Sequence, residues 1–280
     1  IIAGHGATVD AAGIDRVLDI RADAVVLDRF TFQGGTLTTA TQRGAGVMVS
    51  SGSLTLRRST ITDNENTAPG GLGGGLAVSS PATRVEVERS TIHTNTVTGP
   101  GSQGGGVHVA GGQVRFTAST ISGNAAATGA GVKITLGYIK LTVSTVNNNI
   151  GATALSGGYN GTGPTGIVTF GTVIGLGTTA ACDAPVGNFG NTINMSFDDS
   201  CGYGLAQSWV DPQLGPLADN GGDTLTHLPA ITSPLRDASH RSSQPCGGTP
   251  SLHMEVVRTD QRGVARPQGL NCEIGSVEIP

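Results

Sequence analysis

The hexamer STITDN at residues 59–64 returns as STIHTN at 90–95, STISGN at 119–124 and STVNNN at 144–149, with starts 31, 29 and 25 residues apart. A catalytic motif is normally written once; a motif written four times at similar intervals is a building unit. Two further pieces precede each copy. One is Gly-rich and ends in a short strand: GAGVMVS (44–50), GGGLAVS (73–79), GGGVHVA (104–110) and GAGVKIT (129–135). The other alternates apolar and polar residues: SLTLRR, RVEVER, QVRFTA and YIKLTV. Alternation with period two marks a strand with one buried face. Three strands per repeat, joined by turns, describe one coil of a parallel solenoid. RFTFQGG (29–35) fits one coil earlier and FGTVIGL (170–176) one coil later. The fold class is therefore all-β, a parallel β-helix of about six coils, roughly 25–30 Å long.

Aligning the coils gives columns. Phe32, Ile61, Ile92, Ile121, Val146 and Val173 are expected inside, as are Leu27, Leu56, Val87, Phe116, Leu141 and Val168, and Val47, Leu76, Val107 and Val132. Burial of each such side chain stabilises the stack by roughly 1.5–3 kcal/mol. Asn64, Asn95, Asn124 and Asn149 align at one turn, where stacked amides can form a ladder. Thr31, Thr60, Thr91, Thr120, Thr145 and Thr172 form an outward column. Regular Thr arrays serve ice binding on flat solenoids, but a single column is too narrow, and Thr is simply a good strand residue.

Composition narrows the function classes. The chain has 280 residues, 45 of them Gly, with 4% aromatic and 13% charged residues. That is too apolar for a disordered chain. Sixteen basic and 20 acidic residues give a formal net charge of −4 without a basic patch, so nucleic acid is not an expected partner. No apolar run reaches the roughly 18 residues of a membrane helix. The chain opens on Ile1-Ile2 inside an apparent strand, as a mature or trimmed form would. Cys182, Cys201, Cys246 and Cys272 all lie in the last hundred or so residues, with no CxxC. An even count in an uncharged chain favours disulfides, and proximity suggests Cys182 with Cys201 and Cys246 with Cys272, among three possible pairings.

The tail carries a narrower signal. DPQLGPLADNGGDTLTHLP (211–229), SPLRDA (233–238) and TDQRGVARPQGLNCEIGSVE (259–278) resemble the C-terminal region of the choice-of-anchor Q domain of bacterial right-handed parallel β-helix proteins. The resemblance covers nearly the whole chain; its tail motifs are specific, whereas the coil motifs are common to many β-helices. It implies a secreted or surface-displayed bacterial protein, often with a removable C-terminal anchor. This chain ends at Pro280 without an anchor signal and lacks the N-terminal coils and cap usual in such proteins. Residues 1–176 are expected to form the β-helix and 177–280 an irregular, disulfide-braced C-terminal cap on the last coil.

Catalytic chemistry is thinly represented. The six histidines, His5, His93, His108, His227, His240 and His253, are scattered without HExxH spacing, and no GxSxG occurs. No cofactor is expected and no metal site, the one calcium candidate being Asp219 and Asp223 in ADNGGDT (218–224), which lacks EF-hand spacing. On the outer face of the second strand, Glu86 and Glu88 lie roughly 7 Å apart with Arg57 and Arg115 in flanking coils. Such a carboxylate pair suits inverting glycoside hydrolysis; the plainer reading is cross-coil charge pairing, Glu88 with Arg57 and Glu86 with Arg115. The sequence therefore reads as an extracellular or cell-surface, non-enzymatic structural or adhesive solenoid. A polysaccharide lyase or glycoside hydrolase using Glu86 and Glu88, and a carbohydrate-binding module, are the alternatives. Expected partners are a surface polysaccharide and further copies of the chain. Those copies would stack end to end through Ile1 and Ile2 at the open first coil, since unlike ends that meet do not close.

Overall fold

A computed structural model describes residues 2–159, 165–187, 193–204, 207–239, 246 and 256–279. Among them no helix occurs; the chain is a stack of parallel strands on three faces. The first face holds Leu18–Ile20, Val47–Val49, Leu76–Val78, the first halves of Val107–Thr117 and Val132–Thr142, Gly151–Ser156 and Thr178–Cys182. The second holds the first half of Val25–Gln33, then Ser53–Arg57, Arg84–Glu88, the second halves of the two long strands, and Gly166–Phe170. The third holds the end of Val25–Gln33, then Thr60–Thr62, Thr91–His93, Thr120–Ser122, Thr145–Asn147, Val173–Ile174 and Met195–Ser196. Strand Ile2–Asp10 pairs with Val25–Gln33 across the second and third faces.

The repeated hexamer has a physical meaning at nearly every letter. Its Ser turns back on the chain: the Ser90 hydroxyl donates to the Glu88 carbonyl at 2.8 Å and accepts the Ser59 N–H at 3.1 Å. Its Ile enters the core, Ile61 on Ile92 on Ile121. Its Asn closes the corner. Asn95 Nδ2 donates to Asn124 Oδ1 at 2.9 Å, and Asn124 repeats the bond to Asn149 at 3.0 Å. Each Asn also bonds a carbonyl, so a fully buried polar column is satisfied coil by coil. The Gly-rich run serves the same column. Gly44, Gly73, Gly104 and Gly129 take φ between 56 and 70°, and a Cβ on Gly75 would stand 2.7 Å from the Gly106 carbonyl oxygen and 2.9 Å from Asn95 Nδ2.

The last coil departs from the expected register by one residue. Leu141 pairs with Thr169 and Val146 with Ile174, so Thr169 and Ile174 point inward in place of Val168 and Val173. Val173 stands in the Thr column, and Thr172 takes the place of Ser, bonding the Phe170 carbonyl. Two apolar neighbours in a row, Ile167-Val168 and Val173-Ile174, leave period two undecided. The corner decides it: Gly171, at φ 58°, aligns with the left-handed residue before each Ser. Inward Thr169 is paired with the buried Tyr203 hydroxyl at 2.9 Å.

The expected C-terminal cap divides in two. Thr178–Cys182 continues the first face, and Cys182, Val186, Cys201 and Tyr203 join the core at the end of the stack, tied by the Cys182–Cys201 disulfide. The described residues between 207 and 279 instead run back along the third face as a strap. They include the antiparallel pair Leu214–Ala218 and Thr226–Pro229, and Cys272 is bonded to Cys246. The strap covers the Thr column: Thr91, Thr120 and Thr145 are buried, which leaves no exposed array for ice.

Candidate functional site

Two features of the outer surface carry the chemistry: the charged second face and the strap on the third. On the second face, Glu86 lies in register with Arg115 and Glu88 with Arg57. Arg115 Nη1 is 3.2 Å from Glu86 Oε1 and Arg57 Nε is 2.8 Å from Glu88 Oε2. All four side chains are 36–44% exposed, so each pair is screened by water and contributes no more than about 1 kcal/mol. Lys140 follows Arg115 in the column and sets its ammonium 5.1 Å from the centre of the Phe170 ring. The two carboxylates thus face guanidinium groups in opposite directions. The only Trp, Trp209, is exposed in the tail.

The strap is held by a buried charged cluster built from TDQRGVARPQGLNCEIGSVE. Asp260 accepts the Arg262 and Val264 N–H groups at 2.8 Å, Arg262 Nε at 2.9 Å and the Glu278 N–H at 3.0 Å. Arg266, fully buried, lies 3.4 Å from Glu278 and donates to the carbonyls of Glu273 and Gly275. Burial lowers the Arg266 pKa and pushes the Glu278 carboxyl up to about 8, with neighbouring Glu273 adding to the rise and Arg266 opposing it. From this cluster Gln261 reaches the coils. Its Nε2 donates to Thr91 Oγ1 at 2.8 Å, and its Oε1 accepts from Thr120 at 2.7 Å. Ser276 bonds both Thr120 and Thr145. His227 Nδ1 contacts the Gly215 carbonyl at 2.7 Å and Nε2 the Ser122 hydroxyl at 2.8 Å; burial holds this imidazole below its ordinary pKa.

Other residues singled out from the sequence fall as follows. Asp219 accepts the Gly221 N–H within its own turn, and Asp223 is 2.9 Å from Arg29 Nε. The calcium candidates are thus spent on a turn and an ion pair, and a guanidinium beside Asp223 opposes a cation there. Among the described residues no group of three or more His, Cys, Asp or Glu is placed to hold a metal. Ile2 is 59% exposed on strand Ile2–Asp10; Ile1, His240 and His253 lie outside the described residues. His93 is kept below its ordinary pKa by burial, and His108 is lowered to about 4 by burial, then by Arg43 and Lys133.

Sequence reasoning missed two arrangements. On the first face His108, Lys133 and Ser156 stand in one outward column. Lys133 Nζ donates to Ser156 Oγ at 2.8 Å, and Ser156 donates to Asp183 at 2.5 Å. Ser156 is buried and its proton is committed to Asp183, so it bridges an ammonium and a carboxylate rather than acting as a nucleophile. The second arrangement is a basic corner between the second and third faces. His5, Arg29 and Arg58 line a cavity of about 280 Å³ there, with Gly6, Phe30, Thr31, Thr60 and Asp223. The residue before each Ser is Arg58, Arg89, Ala118 and Val143, a column visible in the repeats once the corner is known to matter.

Three faces of parallel strands, one coil per repeat, define the β-helix class of solenoid. The profile of the right handed beta helix region matches residues 17–163, just over half the chain, and the chain belongs to that family. Neither the curated proteins nor the solved structures contain a match to this sequence. No helix among the described residues is long and apolar enough to cross a membrane.

Proposed function

We propose that the protein is an extracellular, non-enzymatic scaffold of the choice-of-anchor Q kind, built to display or adhere rather than to catalyse. The observation that carries this reading is the strap together with the two disulfides. Four cysteines close two bridges, one at the end of the stack and one in the strap, and no cysteine is free. Such bridges persist in oxidising compartments, and they brace the segment that lacks a repeat of its own. The second face supports the same reading, because Glu86 and Glu88 each face an Arg rather than each other. End-to-end association belongs to the proposal too. Among the described residues the outer edge of strand Ile2–Asp10 has no paired strand, so it can take one from more of the same chain or from a second molecule. Fractionation of source cells with an antibody to the native protein tests the reading. Recovery of the disulfide-bonded form outside the cell is expected, with no release of reducing ends from uronate polymers by the purified protein. A reduced intracellular pool, or polymer cleavage abolished by Glu86→Gln with Glu88→Gln, overturns it.

A further inference from the structure

The stack and the strap are joined covalently by the main chain alone. Cys182–Cys201 closes within the stack and Cys246–Cys272 within the strap, and no cysteine remains to bridge them. At the start of the strap stands Asp211-Pro212, the only Asp-Pro pair in the sequence. A break there would leave two chains without a covalent link.

The bond sits in an unusual frame. The Gln213 N–H donates to Asp211 Oδ1 at 2.8 Å, which folds the carboxyl back over the bond to Pro212. Asp211 is exposed, and among the described residues no charged side chain pairs with it and no group bonds its second oxygen. Trp209 and Gln213, two residues to either side, take φ of 63 and 49°. Left-handed backbone strains a residue other than glycine, and such strain gathers at sites that do something. Downstream of the bond the chain is gripped. The Ser233 hydroxyl donates to the Pro212 carbonyl at 2.6 Å, the Ala230 N–H to the Gln213 carbonyl at 2.9 Å, and the Thr232 hydroxyl to Gln213 Oε1 at 2.6 Å.

The two parts also hold each other without that bond. Gln261 and Ser276 occupy the hydroxyls of Thr91, Thr120 and Thr145, and His227 meets Ser122. Leu235 and Ile274 of the strap pack with Val173 and Met195 of the stack, and Val210 lies against the same cluster.

We infer that Asp211-Pro212 is a self-cleavage site, which converts the protein into two chains, the stack and a strap docked on it. In its protonated form the Asp211 carboxyl attacks its own main-chain carbonyl carbon. A C–O bond forms there as the C–N bond to Pro212 breaks. The carboxyl proton passes to the proline nitrogen, which leaves as a secondary amine. The product on Asp211 is a five-membered cyclic anhydride, and water opens it to a chain end with two carboxyl groups. Nothing is oxidised or reduced, and water is the one co-reactant. Cleavage also releases Trp209 and Gln213 from the tether that holds both left-handed.

Incubation of the full chain with its disulfides intact, at pH 5, tests the assignment by intact mass and reducing gels. A new end at Asp211 and a new start at Pro212 are expected. They should appear at least about tenfold faster in the native protein than in the same chain unfolded by urea at that pH, because the fold holds the carboxyl against the bond. Asp211→Asn keeps an oxygen for the Gln213 N–H but has no acid proton to give, and should stop cleavage. Pro212→Ala should slow it severalfold. Circular dichroism checks that each variant is folded. The two pieces should travel together in native chromatography and separate in urea without reductant. Absence of the cut in the native protein overturns the proposal. So does a native rate no higher than the unfolded one, an Asp211→Asn variant cut as fast as the parent, or pieces that stay joined in urea. None of these outcomes bears on whether the protein is recovered outside the cell, so the two readings fall separately.

Discussion

The coils and the strap bury polar groups by opposite means. In the coils one solution is written repeatedly: a Ser hydroxyl that accepts the N–H of the Ser one coil earlier, an inward aliphatic stacked on its copy, and an Asn amide bonded to its own copy in the next coil. The strap has no copies of itself to stack on. It buries Asp260, Arg266, Glu273 and Glu278 together and aims Gln261 and Ser276 at the Thr column. A solenoid's stability is spread over many similar interfaces. A buried charge cluster stands only while each member keeps its partners. The two regions should therefore fail differently.

The sharpest separation comes from emptying the core. Phe116 is fully buried in the middle coils, and Phe116→Ala should cost about 3–5 kcal/mol. Both regions should feel it, because the strap docks on the coils and loses its platform. Urea unfolding followed by far-ultraviolet circular dichroism measures the loss; a cost below about 1 kcal/mol would mean the coils close over the gap.

Arg266→Met comes next and should act on the strap alone. It strips the Glu273 and Gly275 carbonyls of their buried donor and leaves buried Glu273 without a neighbouring cation, at a cost of about 3 kcal/mol. Hydrogen exchange should then rise in residues 256–279 while residues 107–156 keep their protection. Equal loss in both segments would show that strap and coils unfold as one unit.

The same contrast governs what the sequence revealed. Ser59, Ile61 and Asn64 were legible because each recurs at a fixed place in every coil, so period and column could be read together. The register of the last coil was not, because Ile167-Val168 and Val173-Ile174 offer an apolar residue at either phase. The Thr column was legible as a column but not as a dock. Its partner Gln261 lies 170 residues from Thr91, and nothing local to the repeats announces it. Cysteine pairing followed from proximity, since each bridge closes a short segment. Glu86 and Glu88 were placed with their Arg partners by alignment alone. The cavity at Arg29 and Arg58 was missed: its left-handed corner is a backbone property, and the sequence marks it only as the letter before Ser.

Titration separates the regions more gently. Glu278 is held protonated to about 8 in the fold, against an ordinary value of 4.5. The folded strap thus binds more protons than the unfolded chain between those values, and its stability falls as pH rises through that window. His108 has the opposite sense. Its pKa is about 4 in the fold against an ordinary 6.5, so the coils lose stability as pH falls below 6.5 toward 4. His227 adds an acid-side loss at the contact between the two. Strap amides should exchange faster at pH 8.5 than at pH 6 after correction for the intrinsic rate, and coil amides should not. A strap that tightens with rising pH would contradict the buried-acid assignment.

The smallest effect is expected at Glu86 and Glu88, and it is the one that bears on catalysis. Each carboxylate meets an Arg across a coil boundary, at 3.2 Å for Glu86 and 2.8 Å for Glu88, with more than a third of each side chain in water. Replacing both by Gln keeps length and hydrogen-bonding capacity and removes two screened attractions, each no more than about 1 kcal/mol. It also leaves Arg57 and Arg115 as solvated cations rather than buried ones, so no desolvation penalty follows. The variant should unfold within about 1 kcal/mol of the parent and lose that difference at high salt. A larger loss that persists at 1 M salt would mean the pairs are coupled to the core through Lys140 and Phe170. An unchanged fold with a lost polymer-cleaving activity would instead give the two carboxylates a chemical task that their pairing with Arg does not suggest.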